Sequence, residues 1–291
     1  MGGDGSVVLK RVLTYASFVR FSHSVFALPF ALTGAMLASR RVPLTLGRVG
    51  WIIAAMVAAR SAAMGFNRLV DAHYDALNPR TRNRELPAGR MSRAEAIAFV
   101  IVTSVVFVIA AWELGPPCFA LSPVALGIVF WYSLAKRFTW STQAFLGLAM
   151  AVAPMGGWLA AGGRDGWEPW LLALAIGTWV GGFDVLYACQ DVEFDAAHGL
   201  RSIPQRFGVE TALGISRALH VVTVACLALL AAVVPLGPIY LAGVAGVAAL
   251  LVYEQSLVSA ADLSRVTFAF DLNGYVGILY FITTAVAIYV R

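Results

Sequence analysis

Residues 67–75 read Asn67-Arg68-Leu69-Val70-Asp71-Ala72-His73-Tyr74-Asp75 and close a long apolar run. Asn67, Asp71 and Asp75 recur every four residues, so they share one face of a helix. The same spacing returns further along as Tyr187, Asp191 and Asp195, again at the end of an apolar run. Charge is expensive inside a bilayer, so two matched acidic faces at helix ends require a compensating charge.

Around these segments the chain is apolar. Of its 291 residues, 60% are hydrophobic and 13% charged, against about 45–50% and about 25% in a soluble domain. Nine runs reach the roughly 20 residues needed to span a membrane. Their cores lie near 21–39, 48–67, 95–113, 118–135, 143–161, 168–188, 213–234, 238–258 and 273–290. None alternates in the manner of an outer-membrane barrel strand. The expected fold is an all-α integral membrane bundle, one domain over residues 1–291. Polarity concentrates in two loops, about 68–93 and 188–209. Trp51, Trp167 and Trp170 fall at span ends, where interfacial anchors belong.

The net charge of +5 is unevenly distributed. With nine spans, fifteen Lys and Arg fall on the side of the N-terminus and of the loops after spans 2, 4, 6 and 8. Five fall on the other side, and Arg60 lies within span 2. Positive-inside bias places the first side, with both acidic segments, in the cytoplasm. The localisation expected is therefore a multi-pass protein of the cell inner membrane. Basic residues outside the motifs serve topology and contact lipid headgroups. Cys118, Cys189 and Cys226 form no CxxC and suggest buried small residues rather than a disulfide or metal site. The N-terminal Met-Gly-Gly-Asp-Gly-Ser formally fits a myristoylation pattern, read as a chance match, and no cleavable signal peptide is expected.

Asp71 and Asp75 lie one turn apart, as do Asp191 and Asp195. Such pairs suit Mg²⁺, which takes one or two protein carboxylates together with substrate phosphates. Asn67 and Tyr187 add a polar group one turn earlier. Four carboxylates at a bilayer centre would cost roughly 10 kcal/mol, at about 2.5–3.5 kcal/mol each. They are tolerable only near the interface or in a wet cavity with cations present. The loop after the first segment continues Asn78-Pro79-Arg80-Thr81-x-x-Arg84-x-Leu86-Pro87-x-Gly89. Arg80 and Arg84 suit one phosphate group, or pairing with Glu85 or lipid. Lys136, Arg137 and Arg201 add cations to the same face.

These residues together resemble the UbiA superfamily of intramembrane prenyltransferases. The resemblance rests on the motifs from Asn67 to Asp75, from Asn78 to Gly89 and from Tyr187 to Asp195. Arg20-Phe21-Ser22-His23, Phe26 to Phe30, Tyr132 to Thr139 and Gly199 to Pro204 support it, and it covers nearly the whole chain. The subgroup most resembled is the 4-hydroxybenzoate polyprenyltransferase type. The run Asp184 to Asp191 also looks like the enzymes of the futalosine menaquinone route.

The resemblance implies nine helices around a central cavity that opens to lipid. It implies Mg²⁺-dependent transfer of a polyprenyl group from its diphosphate to an aromatic acid. The acid expected is 4-hydroxybenzoate, on the way to ubiquinone; the alternative is a dihydroxynaphthoate-type acceptor, on the way to menaquinone. The substrates and membrane lipid are the partners expected, and no nucleic acid is. Asn67, Asp71, Asp75, Asp191 and Asp195 would hold Mg²⁺ and diphosphate. Arg80, Arg84 and Lys136 would contact diphosphate, and Arg201 would be a further substrate-binding cation. Tyr187 would shield the allylic cation or orient a ligand, Arg137 would take the acceptor carboxylate, and Asp184 would tune the acceptor, assist removal of the ring proton or hold a water-linked structural place. His73 and His198 lie off the acidic face. His23 and His220 suggest interfacial hydrogen bonds, and Asp271 and Asn273 suggest a cap on span 9. A transporter would place its charges near the midplane of paired halves, and the single Asp-Gly-opened motif of a CDP-alcohol phosphotransferase does not occur.

Overall fold

The computed structural model describes residues 28–290 together with Arg11, Thr14, Tyr15, Ser17, Phe18 and Val19. The motif Arg20 to His23, Phe26, Ala27 and the first half of the first expected span lie outside the described residues. Among the described residues the fold is helical, with one isolated bridge at Ser259 and Asp262 and no strand. The helices are α1 (Leu28–Ser39), α2 (Leu46–Leu77), α3 (Arg93–Leu114), α4 (Pro116–Ala135), α5 (Thr142–Ala160), α6 (Glu168–Ala188), α7 (Val192–Ala197), α8 (Ile203–Phe207), α9 (Val209–Val233), α10 (Gly237–Ser256) and α11 (Val266–Tyr289). Eight of these segments are long and apolar enough to cross a membrane, α6 running on through α7 as one of them. The shorter α1 occupies the end of the first expected span.

Local chemistry sets the boundaries. Thr45 caps α2 by accepting from the Arg48 N–H. Ser92 and Glu95 close α3 with reciprocal hydrogen bonds. Gly115 at φ 118 turns the chain directly into α4, with Pro116 at its first position. Neighbouring helices pack in series, α2 on α3, α5 on α6, α6 on α9 and α10 on α11. Outward faces stay apolar, as with Ile101, Val105 and Trp112 of α3, which suits a lipid solvent. Trp51, Trp167 and Trp170 are exposed at helix ends as expected.

Close approach is concentrated where α1 and α6 meet α5. A Cβ on Gly34 would collide with the Pro154 carbonyl oxygen, and one on Gly157 with that of Ala31. The two contacts are reciprocal across the α1–α5 seam. Gly147 meets the Gly177 carbonyl in the same way between α5 and α6. Small residues at such crossings are how membrane helices approach without a hydrophobic drive between them.

Three expectations are corrected. Residues 68–77 are helix, not loop, because α2 runs unbroken for 32 residues. At 1.5 Å per residue that is about 48 Å, well beyond a hydrocarbon core of about 30 Å. Asn273 does not cap the last helix. It lies within α11, fully buried, and Arg265 holds the cap position. His220 is likewise not interfacial. It is buried in α9, its Nδ1 against Gln255 Nε2 at 3.1 Å.

Candidate active site

The two acidic segments have the same spacing but different backbones. Asn67, Asp71 and Asp75 stand on continuous α2. The second row begins on α6 at Tyr187, passes a tight 3₁₀ turn at Cys189–Asp191, and ends on α7 at Asp195.

Cations from the intervening connections bind both rows. Asp71 is buried and receives Lys136 Nζ at 3.0 Å and Arg137 at 2.8 Å, with Asn67 Nδ2 donating at 3.2 Å. Arg137 also donates to the carbonyls of Val70 and Ser133 and lies over the Tyr74 ring. The guanidinium expected to take the acceptor carboxylate thus ties the end of α4 to α2. Arg84 donates to Asp75 Oδ1 at 2.7 Å, while the buried Oδ2 has no partner. Arg80 reaches across to both oxygens of Asp191, at 2.6 and 2.8 Å, and donates to the Tyr187 hydroxyl at 2.7 Å. It links the two rows directly, and its guanidinium lies 5.2 Å above the Tyr187 ring.

The loop bearing these arginines is held from within. Asn78 caps α2 and accepts from the Arg80 N–H, and Thr81 donates to the Asp75 carbonyl. The alternative partner, Glu85, is buried and engaged by the Ser17 hydroxyl at 2.6 Å and by Arg90 at 3.8 Å. That leaves Arg80 and Arg84 to the carboxylates. Arg201 donates to the Phe138 carbonyl, and its N–H to that of Lys136, so it braces the turn that presents Lys136. His73 is exposed beside Tyr74, and His198 folds back on Phe194. Asp184 lies deeper on α6, within the fields of Asp191, Asp195 and Lys136.

An apolar cavity of about 280 Å³ lies between α2, α3, α4 and α5. Its wall includes Ala63 and Met64, within one turn of Asn67. Its polar lining is sparse: Arg60, Tyr132 and Ser122. Arg60 forms no ion pair among the described residues, and its buried Nε lacks a hydrogen-bond partner. This arginine is the candidate site residue that motif reading missed. The signal was a lone cation in an apolar span, seven residues before Asn67 and so on the same face.

The donor set fits Mg²⁺. All the oxygens are hard carboxylate ligands, and Asp75 Oδ2 is buried without a partner. Among the described residues no group of three or more His, Cys, Asp or Glu side chains is placed to hold a metal alone. Pairs of carboxylates completed by substrate phosphate are the usual Mg²⁺ arrangement.

Comparison with known proteins agrees with the geometry. The model of the UbiA prenyltransferase family matches residues 27–282. A 4-hydroxybenzoate octaprenyltransferase of Vibrio campbellii is 32% identical over 228 residues, covering 78% of this chain and 80% of that protein. The apo structure of a UbiA homolog from Aeropyrum pernix K1 superimposes with a TM-score of 0.84 at 35% identity, over 91% of this chain and 98% of that one. A UbiA homolog from Archaeoglobus fulgidus, solved bound to DMAPP and Mg²⁺, shares the fold with a TM-score of 0.72 at 18% identity, over 96% and 100% of the two chains.

Proposed function

The chain belongs to the UbiA prenyltransferase family, and we propose that it moves a polyprenyl group from its diphosphate to the ring of 4-hydroxybenzoate. The observation that carries this reading is the convergence of two acidic rows and their cations beside an apolar cavity lined by Arg60, which forms no ion pair among the described residues. A diphosphate suits the first part, an isoprenoid chain the second, and an aromatic carboxylate the third. The octaprenyltransferase relatives favour 4-hydroxybenzoate over a bicyclic acid.

Asp71, Asp75, Asp191 and Asp195, with Asn67, would hold Mg²⁺. The metal, when bound, offsets the charge that gathers on the leaving diphosphate. Arg80, Arg84 and Lys136 exchange a carboxylate oxygen for a phosphate oxygen, a partner that suits the guanidinium fork of the two arginines. The C1–O bond breaks with its electron pair going to diphosphate. The Tyr187 ring presents its electron-rich face to the allylic cation. Arg60 holds the acceptor carboxylate and so orients the ring. The carbon ortho to the hydroxyl forms the new C–C bond, and Asp184 accepts the displaced ring proton. The rows then face the cytoplasm of the inner membrane, where water-soluble diphosphate can leave.

Purified protein supplied with Mg²⁺, a polyprenyl diphosphate and either 4-hydroxybenzoate or a dihydroxynaphthoate tests the proposal. Prenylated 4-hydroxybenzoate with release of diphosphate is expected. Undiminished turnover in Asp71→Ala or Asp191→Ala would overturn it.

A further inference from the structure

Glu254 takes no part in the chemistry above, yet it is a fully buried carboxylic side chain near the end of α10. Its Oε1 accepts from Asn273 Nδ2 at 3.2 Å. Asn273, also fully buried, accepts from the Trp179 indole N–H at 2.7 Å. Three helices, α10, α11 and α6, are thereby joined by one polar chain in a region where a buried carboxyl group is costly. An apolar residue would hold three helices together at least as well.

The chain leads to an aromatic wall. The Trp179 indole meets Phe30 edge-on at 5.0 Å and Phe183 at 5.3 Å. Phe183 meets Phe270 at 5.4 Å, and Phe270 meets Tyr187 at 4.7 Å. Tyr187 carries Arg80, and Arg80 carries Asp191. A continuous row of rings therefore runs from the buried amide to the diphosphate end of the site. A fixed acceptor for the indole N–H adds a directional contact to the packing that sets the ring's rotation. Asn273 is that acceptor, and its amide nitrogen is held in turn by Glu254 at 3.2 Å and by the Phe270 carbonyl at 3.1 Å.

We propose that Glu254 and Asn273 are positioning residues, which hold Trp179 and through it the wall Phe183–Phe270–Tyr187 against the allylic cation. The proposal rests on the prenyl-transfer reading. The wall excludes water as well as presenting ring faces. Where it loosens, water attacks C1 as the C–O bond breaks, diphosphate leaves with the electron pair, the water proton passes to solvent, and the product is free prenol.

The readout is the ratio of prenol to prenylated acceptor, measured with labelled prenyl diphosphate. Glu254→Leu removes the carboxyl contact to the Asn273 amide, and Trp179→Phe removes the indole N–H together with the fused five-membered ring while keeping a phenyl ring in place. Each is expected to raise the ratio about fivefold, the effect of losing one hydrogen bond of about 1 kcal/mol. Glu254→Gln keeps an acceptor oxygen in the same place and is expected to stay near the wild-type ratio. A wild-type ratio in Trp179→Phe, in protein with an unchanged melting temperature, would refute the positioning role. A role in stability alone would move melting without moving the ratio. Failure of the wild-type protein to consume any prenyl diphosphate would instead refute the functional reading on which the proposal stands.

Discussion

Replacing Arg60 with methionine should make the protein more stable and less able to use its acceptor. Arg60 projects into an apolar cavity, forms no ion pair among the described residues, and leaves Nε unpartnered. A cation deep in a bilayer protein costs about 2.5–3.5 kcal/mol on insertion scales. Methionine fills comparable length without charge, so a gain approaching 2 kcal/mol is expected. The same substitution removes a charged hydrogen bond to a carboxylate, worth about 1.5–3 kcal/mol. At about 1.4 kcal/mol per tenfold, KM for 4-hydroxybenzoate should rise roughly 10- to 150-fold. KM for the prenyl diphosphate should stay within about twofold, because the partners of its diphosphate lie on the other side of Asn67 and methionine keeps an apolar wall for its chain. Thermal unfolding in detergent measures the first quantity, and steady-state prenylation the second. The methyl ester of 4-hydroxybenzoate supplies a control, since both enzymes should use it equally. An unchanged KM for the free acid, or a marked loss of stability, would show that Arg60 does not hold the acceptor.

Other consequences are as direct. Gly157→Ala should destabilise by about 1–3 kcal/mol through overpacking against the Ala31 carbonyl, whereas neighbouring Gly156→Ala, which meets nothing, should be neutral or slightly stabilising; paired melting curves check this. Asp71→Asn should abolish turnover and cost about 1–3 kcal/mol, less than a fully buried pair because Lys136 and Arg137 are partly exposed. Adding Lys136→Met should recover much of that stability and none of the activity. Chelation with EDTA should stop prenyl transfer, and Mg²⁺ with inorganic diphosphate at about 100 times the dissociation constant should stabilise the protein by about 2.7 kcal/mol; a melting temperature unmoved by the pair would argue against a metal–diphosphate site.

Much of this could be seen in the sequence because membrane spans and acidic spacing are local signals. Apolar run length located eight crossing helices, and four-residue steps located both acidic rows. Interactions between distant segments were not visible. Nothing near Arg80 in sequence says that it bridges to Asp191 and Tyr187, more than a hundred residues away. Arg137 looked free for a ligand because its partners, Asp71 and the Val70 carbonyl, belong to another helix. Asn273 looked like a cap because it follows Asp271 at the start of an apolar run, but its partners Trp179 and Glu254 belong to two other helices. The second acidic row looked like the first because spacing does not record the 3₁₀ turn at Cys189–Asp191.

The unbroken length of α2 has a consequence for substrate choice. Arg60, Asn67, Asp71 and Asp75 all stand on it, so a single rod fixes the interval between the proposed acceptor anchor and the proposed diphosphate site. From Arg60 to Asp71 that interval is about 16 Å along the axis. No hinge within the rod can alter it, so it works as a caliper set for one size of acid. Inserting four residues between Arg60 and Asn67 would open the jaws by about 6 Å while turning the two ends by little more than a tenth of a revolution. An acid of the original size, if held by Arg60 as proposed, can then no longer present its ring to the leaving group, so prenylation should fail while diphosphate still binds.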